Sequence, residues 1–264
     1  MKHISSRDNP LYKRVLRLLA GKRGDSDAPE LVLEGIHLCQ AWLEHQGMPL
    51  WALVDADKVR SNTELAALAD SLPEHTVIAC EPALMQRLSQ VVHGQGVLFV
   101  VAAPQPIRPS HITQNSLWLD RVQDPGNVGT LLRTAAAAGI RHAYLSPGCA
   151  SAWSGKVLRS AQGAHFVLTI YEGVDLQAER QRLSIPLVAT ALHDAGSLYE
   201  TVLPEKCAWV FGNEGQGVDA QLLGHASLRV FIPQQADVES LNVAVAAGIC
   251  LFEQRRQHPA HTAR

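Results

Sequence analysis

The sequence predicts an α/β protein in which short apolar strands alternate with helices. Over residues 1–102, apolar runs of strand length recur between segments whose apolar residues have helical spacing. Farther along the chain, three apolar runs each end in a polar turn that leads into a helix rich in alanine and glycine. Ligands of open α/β sheets bind at the carboxyl ends of strands, so these polar strand ends indicate a functional site.

The first part of the chain is predicted to form a compact α/β domain, residues 1–102. Its predicted strands are Leu31–Leu33, Leu50–Val54, Thr76–Ala79 and Val97–Val101, and its predicted helices are Pro10–Ala20, Ile36–His45, Glu64–Ser71 and Pro82–Gln90. Three prolines in Ala103–Ser110 then predict a linker, placed at residues 103–114. A second domain is expected over residues 115–264.

The composition predicts a cytoplasmic protein without a membrane span or a metal site. No apolar run approaches the roughly 18 residues of a transmembrane helix, and the polar N-terminus lacks the apolar core of a secretory signal. Five cysteines are scattered without C-x-x-C spacing, which predicts reduced thiols and no zinc.

The formal net charge is −2, but positive charge is concentrated at the N-terminus, where residues 1–23 hold seven basic residues and one acidic residue. In the predicted helix after Asn9-Pro10, Lys13, Arg14 and Arg17 lie opposite an apolar side. Such a basic face is either a contact for nucleic acid or an ordinary solvated surface.

The first of the three polar strand ends follows a buried strand, Leu117–Leu119. The turn Asp120–Gly126 comes next, and Asn127 is predicted to cap the following helix. Arg133 lies inside that helix among small alanines. An arginine on such a face meets an acidic partner or a phosphate, or is simply a surface residue.

The second strand end follows the strand Cys207–Phe211 and contains three glycines within residues 212–217. Glu214 lies in this turn, where backbone N–H groups can hold its carboxylate, unless it is merely solvated. Gly215–Ala220 also fits the dinucleotide pattern G-x-G-x-x-A. The next strand lacks the acidic residue that binds ribose at that site, which argues against a nicotinamide cofactor.

The third strand end follows the strand Leu228–Ile232. A polar loop, Gln234–Glu239, leads to Ser240, Leu241 and Asn242 and then to a long helix, Val243–Arg256. Ser240 is predicted to be the N-cap of this helix, or else to hold a ligand together with Asn242.

Together the three segments, Asn127–Ala135, Phe211–Gly217 and Ile232–Asn242, resemble motifs 1, 2 and 3 of the SpoU/TrmH family of RNA 2′-O-ribose methyltransferases, a branch of the SPOUT superfamily. The resemblance covers residues 116–257. It implies a parallel sheet whose C-terminal segment forms a trefoil knot, here preceded by a smaller α/β substrate-binding domain. The Glu34-Gly35 turn resembles a recurrent turn of that domain.

The resemblance also implies the cofactor S-adenosylmethionine, held largely by backbone groups. By position, these contacts fall on Gly212, Ile232 and Leu241, and on Thr190 at the end of the predicted strand Pro186–Thr190. It further implies a homodimer in which the last helix packs at the interface and motif 1 of one subunit helps to form the site of the other.

The implied catalytic residues are Asn127, Arg133, Glu214, Ser240 and Asn242. The two asparagines can orient the reacting groups, and Glu214 and Ser240 can shape the surrounding loop. Arg133 matches a family arginine proposed as base or phosphate clamp. Because an arginine side chain has a pKa above about 12, we favour the clamp.

The implied substrate is RNA, and the N-terminal domain favours large-subunit ribosomal RNA over tRNA. Arg159, in a stretch before motif 2, either lines the RNA groove or belongs to a helix end. Two alternatives are a nicotinamide-dependent enzyme that uses Gly215–Ala220, and a non-catalytic RNA-binding protein that has kept the fold.

Overall fold

The computed structural model describes residues 2–21, 29–191, 193–235, 237 and 240–259. It divides into two compact units, residues 1–105 and 106–264. The boundary lies within the segment that the prolines mark as a linker. Of the sequence-based expectations, Lys22 and Arg23 in the basic segment, and residues 236, 238 and 239 in the polar loop, lie outside the described residues.

The first unit is a five-stranded sheet with the strand order β1-β4-β3-β5-β2. Strands β1, β4 and β3 run parallel, and β5 is antiparallel to both β3 and β2. Its elements are β1 (Lys2–Ile4), α1 (Pro10–Leu19), β2 (Glu30–Glu34), α2 (Ile36–His45), β3 (Trp51–Asp55), α3 (Lys58–Ser61), α4 (Thr63–Asp70), β4 (Val77–Cys80), α5 (Pro82–Leu88) and β5 (Val97–Ala102).

The eight elements predicted from the sequence of this unit are confirmed, with bounds that differ by at most two residues. Strand β1 and helix α3 were not predicted, because three and four residues are too short to show a period. Strand β1 exists through its pairing with β4, a contact between residues far apart in the chain.

Helix α1 begins where the Asn9-Pro10 pair predicts, since the Asn9 side chain accepts hydrogen bonds from the N–H groups of Leu11 and Tyr12. The basic face of this helix is only partly available to a ligand. Arg14 donates to the carboxylate of Glu30, with 2.7 Å between its Nε and Oε2, and its guanidinium lies 5.0 Å from the centre of the Trp51 ring. Arg14 therefore has a structural role within this unit, and its contact with RNA stays a prediction.

The second unit is a seven-stranded, wholly parallel sheet with the order β10-β12-β9-β11-β6-β7-β8. Its elements are β6 (Ser116–Leu119), α6 (Pro125–Ala137), β7 (His142–Leu145), α7 (Gly155–Ala161), β8 (Thr169–Tyr171), α8 (Leu176–Arg180), β9 (Leu187–Thr190), β10 (Gly196–Ser197), β11 (Ala208–Phe211), α9 (Ala220–Gly224), β12 (Leu228–Phe231) and α10 (Val243–Gln257).

Strand β11 lies between β9 and β6, although it comes after both in the chain. The carboxyl ends of β6, β11, β9 and β12 are therefore neighbours at one edge of the sheet. The central strands are buried on both faces, as expected for a parallel sheet. One core contains Leu131, Trp209 and Cys250, and the other contains Trp118 and Tyr144.

The later part of the proline-rich segment belongs to the second unit and is not a free linker. Ile112 is buried and forms a bridge with Leu183, and Arg108 donates to the buried carboxylate of Glu179 at 3.1 Å. The proline count predicts a break in regular structure but cannot reveal these contacts.

Helices α6 and α7 approach each other closely at a glycine. A Cβ atom on Gly129 would lie 2.5 Å from the Cβ of Ser160 and 2.7 Å from the carbonyl oxygen of Val157. The Ser160 hydroxyl donates to the carbonyl of Gly126 at 3.0 Å, which holds the two helices together. Glycine at this position thus allows α6 to lie against α7.

We predict that Gly129→Ala lowers the stability of the protein. Alanine favours a helix over glycine by about 1 kcal/mol, but forcing a methyl group into a packed contact costs about 1–3 kcal/mol. Gly248→Ala in α10 is the matched control, because its Cβ would meet Thr134 at an ordinary 3.7 Å. Denaturant unfolding should show a loss for the first variant and none for the second. Equal effects would contradict the packing argument.

Candidate active site

A chain of side-chain hydrogen bonds joins the three polar strand ends. The Asn127 amide donates to Oε1 of Glu214 at 3.0 Å, and its Oδ1 accepts a hydrogen bond from the Asn242 amide at 3.0 Å. These residues come from α6, from the turn after β11 and from the start of α10. The structure thus brings together three of the five predicted catalytic residues.

Glu214 is held by the backbone as well as by Asn127. The N–H groups of Gln123 and Asp124 donate to its two carboxylate oxygens, each at 3.2 Å. Partial burial favours the neutral acid, but the hydrogen bonds outweigh it and hold the pKa of Glu214 below its ordinary value. The carboxylate is therefore ionised at neutral pH and suited to holding neighbouring groups in position.

The two predicted helix caps in this site are wrong. Helix α6 is capped by Asp124, whose carboxylate accepts from the Asn127 N–H at 2.9 Å, with Pro125 in the first turn. Helix α10 is capped by Asn242, which accepts from Ala244 and Val245. Ser240 is exposed and makes no hydrogen bond with another described residue. Because Asp124 caps α6, the Asn127 side chain is available to link the other two segments.

The glycine-rich turn after β11 has a closed shape that only glycine permits. A Cβ atom on Gly212 would lie 2.1 Å from the backbone of Gly217 and Val218. Asn213 closes the turn through backbone hydrogen bonds with Gly217 and through its Oδ1, which accepts from two further N–H groups of the turn. These hydrogen bonds within the turn fix its shape.

Asp120 and Arg121 support this turn and were not singled out in the sequence. Asp120 is 4% exposed, accepts from the Asp219 N–H at 2.8 Å and pairs with the Arg121 guanidinium. Arg121 also donates to the Gln216 side chain at 3.2 Å, and its φ of 55° is unusual for a residue with a side chain. The sequence feature that could have identified Asp120 is an acidic residue directly after a buried strand.

The predicted cofactor contacts Thr190, Gly212 and Ile232 lie at the carboxyl ends of the adjacent strands β9, β11 and β12. Thr190 lies opposite Val230 in the pairing of β9 with β12, so these two strands end at the same height in the sheet. Leu241 directly precedes the α10 cap. Four residues distant in sequence are thus placed along one edge of the sheet.

The turn geometry does not favour the alternative dinucleotide site. The backbone pair between Asn213 and Gly217 closes the glycine turn on itself, and α9, which follows, has only five residues. A dinucleotide fingerprint needs an open glycine loop that leads directly into a helix.

Arg133 and Arg159 are not part of this cluster. Arg133 is exposed on α6 and forms no hydrogen bond or ion pair with any described residue. It lines a separate, shallow cavity that is open to solvent and has a volume of about 360 Å³, together with Arg141 and Gln162. Arg159 is exposed at the end of α7, where its carbonyl accepts a hydrogen bond from Gln162.

Within the described residues, no group of three or more His, Cys, Asp or Glu side chains is arranged to hold a metal ion. Among the same residues, no helix has the length and apolar character needed to cross a membrane.

Comparison with known proteins identifies close relatives of the whole chain. Residues 114–252 match the model of the SpoU rRNA Methylase family. Over 263 residues, 97% of this chain and 100% of the relative, the sequence is 35% identical to the 23S rRNA (guanosine(2553)-2′-O)-methyltransferase RlmP of Bacillus subtilis.

Solved structures are also similar over almost the whole chain. An rRNA methyltransferase from Sinorhizobium meliloti aligns with a TM-score of 0.81 and 26% identity, over 98% of this chain and 99% of that one. An AdoMet-bound rRNA methyltransferase from the same organism aligns with a TM-score of 0.79 and 25% identity, over 98% and 99%. These neighbours and the parallel sheet confirm the predicted fold class, a knotted α/β unit that follows a smaller α/β unit.

We predict that Glu214→Gln destabilises the protein most at neutral pH. The pKa of Glu214 is lower in the folded protein than in the unfolded chain. The ionised carboxylate therefore stabilises the protein above the unfolded-state pKa, and this stabilisation is lost as the pH falls through the folded-state pKa. The stability difference between wild type and variant should therefore shrink on acidification. Denaturant unfolding at a series of pH values measures it.

The control is Glu205→Gln, since Glu205 is exposed and its carboxylate makes no hydrogen bond with a described residue. This variant should unfold like the wild type at every pH. A Glu214→Gln variant that is equally stable at neutral pH would show that the carboxylate does not hold the turn.

Proposed function

The chain belongs to the SpoU rRNA methylase family, and we propose that it is an S-adenosylmethionine-dependent RNA 2′-O-ribose methyltransferase acting on large-subunit ribosomal RNA. The observation that carries the proposal is the hydrogen-bond chain from Glu214 through Asn127 to Asn242, which assembles the three family motifs at one sheet edge. The substrate follows the relative RlmP, which is named for a guanosine of 23S rRNA.

Thr190, Gly212, Ile232 and Leu241 would hold the cofactor. The backbone N–H groups of Gly212, Ile232 and Leu241 donate no hydrogen bond to another described residue, so they are available to a ligand. Glycine at position 212 keeps the turn close to the strand end. When bound, S-adenosylmethionine supplies a methyl group already activated on a sulfonium.

The task of the protein is then to align the ribose hydroxyl and to allow it to lose a proton. Asn127 and Asn242 orient groups at the sheet edge, and Glu214 keeps Asn127 in place. The lowered pKa of Glu214 makes it a poor proton acceptor. Arg133 holds an RNA phosphate, and Ser240 shapes the loop before Leu241.

A homodimer would complete this site. Within one chain, Arg133 makes no hydrogen bond to Asn127, Glu214 or Asn242. Helix α10 presents two large apolar side chains to solvent, Val245 at 53% and Phe252 at 48% exposure. We therefore infer that α10 packs against a second copy and that Arg133 of each protomer completes the site of its partner.

The N-terminal unit is proposed to bind the RNA substrate. Lys13 and Arg17 are exposed on α1, and the ion pair of Lys13 with the exposed Asp8 is of the weak surface type. All five cysteines are free thiols, which supports work in a reducing cytoplasm.

We predict that the protein transfers a labelled methyl group from S-adenosylmethionine to 23S rRNA and that Arg133→Ala slows this transfer by at least about a hundredfold. Cofactor binding, measured by calorimetry with S-adenosylhomocysteine, should be unchanged, because backbone groups at other segments hold it. Ribose-methylation mapping identifies the nucleotide.

Full activity of Arg133→Ala would refute the role given to that residue. Transfer to tRNA but not to 23S rRNA would overturn the substrate assignment. A wild-type protein that bound NAD and ignored S-adenosylhomocysteine would refute the proposed function as a whole.

We predict that the double variant Lys13→Ala, Arg17→Ala weakens RNA binding and flattens its salt dependence. With fewer phosphate contacts, fewer counterions are released when the RNA binds. Stability should change little, because both side chains are exposed and interactions of exposed charges contribute little to stability. Arg14→Ala should instead destabilise the N-terminal unit, since it leaves the buried carboxylate of Glu30 without its partner. Filter binding at several salt concentrations, combined with thermal unfolding, separates the two effects. If the double variant bound RNA with unchanged affinity at every salt concentration, the basic face of α1 would be an ordinary solvated surface.

A further inference from the structure

The cavity beside Arg133 is a second basic site that the hydrogen-bonded cluster does not use. It lies where the end of α6 meets the end of α7, and its volume is about 360 Å³. Two guanidinium groups, of Arg133 and Arg141, line it, and no Asp or Glu does so among the described residues. Two like charges on one cavity repel each other unless an anion lies between them.

Arg141 is held in place by the end of α6. One of its terminal nitrogens, Nη1, donates to the carbonyls of Ala136 at 3.2 Å and Ile140 at 3.0 Å. An arginine carries five N–H donors. Its Nε and its other terminal nitrogen form no hydrogen bond with a described residue, so donors remain for a ligand in the cavity.

The remaining walls let a ligand approach closely. Ala136, Ala137 and Gly163 have small or absent side chains, and Gln162 adds a polar amide. The amide nitrogen of Gln162 donates to the Arg159 carbonyl at 2.7 Å, which fixes the side chain. Small walls, fixed donors and uncompensated positive charge suit a compact anion with several acceptor oxygens.

We propose that this cavity holds a phosphodiester group of the substrate RNA and that Arg141 binds it together with Arg133. The inference rests on the proposed function, in which Arg133 already holds an RNA phosphate, and adds to it a second binding residue, Arg141. Planar guanidinium groups can share the oxygens of one phosphate through paired hydrogen bonds, which a single lysine cannot match.

The competing explanation is that Arg141 serves only to neutralise the carbonyls at the end of α6. Arg255 offers the matched control, because it donates to the Ala137 carbonyl at 3.3 Å on the same helix end but does not line the cavity. A purely structural role predicts the same result for both arginines.

The first experiment compares Arg141→Ala and Arg255→Ala in equilibrium binding of a 23S rRNA fragment over a range of salt concentrations. Loss of one phosphate contact should weaken binding about threefold or more and reduce the slope of log K against log salt by about one. We expect this for Arg141→Ala and an unchanged slope for Arg255→Ala. Equal slopes of log K against log salt in both variants would overturn the proposal. It would also be overturned if light scattering showed a changed oligomeric state for Arg141→Ala while the slope stayed the same.

The second experiment leaves both arginines in place and changes the charge of the wall. Ala137→Glu and Ala137→Gln add side chains of the same size at an exposed helical position, and only the first adds a negative charge. We expect the glutamate variant to bind RNA more weakly than the glutamine variant, with the difference vanishing at high salt. Equal binding at low salt would contradict a phosphate site.

Both experiments distinguish this inference from the proposed function. If the wild type methylates RNA while the Arg141 and Ala137 variants bind RNA normally, the phosphate site is wrong and the methyltransferase assignment stands. If the wild type neither binds nor methylates RNA, the proposed function itself fails.

Discussion

The hydrogen-bond chain between Glu214, Asn127 and Asn242 is the contact on which the site depends. Its two direct links join residues that are 87 and 115 positions apart in the chain. They can meet only because β11 lies next to β6 in the sheet and α10 starts at the same edge. The strand order therefore determines the chemistry that this edge can support.

Around that chain, three residues satisfy the backbone of the two helix starts and of the glycine turn. Asp124 caps α6, Asn242 caps α10, and Asn213 closes the glycine turn. The buried carboxylate of Asp120 then fixes the far end of the turn through Asp219. Because these residues satisfy the backbone, the Asn127 amide is free to bind side chains. A substitution at any of these supports would disturb the site without touching a reacting group.

Positive charge serves two separate purposes in this protein. Arg14 in the first unit, and Arg108 in the second, neutralise the buried carboxylates of Glu30 and Glu179 and stabilise their units. Arg133 and Arg141 have no carboxylate partner among the described residues, so their charge is available to an external anion. Net charge alone, at −2, hides this distinction, because it sums over arginines with opposite roles.

The sequence by itself determined the elements and the segments of the site. Helical and alternating apolar spacing located the eight predicted elements of the first unit, and polar strand ends marked the three segments that meet. Local pattern suffices for these features because the spacing of apolar residues over a few positions shows which face of a strand or helix is buried.

Only the tertiary structure decided how the side chains are used. Asn127 and Ser240 look like caps in the sequence, yet Asp124 and Asn242 cap the helices. Arg14 looks like a ligand for RNA, yet it pairs with a glutamate that lies 16 residues away. The caps are local contacts, but the sequence offers more than one possible helix start, and the fold selects among them. The pairing of Arg14 depends on which partner the fold brings within about 3 Å, a distance that sequence spacing does not encode.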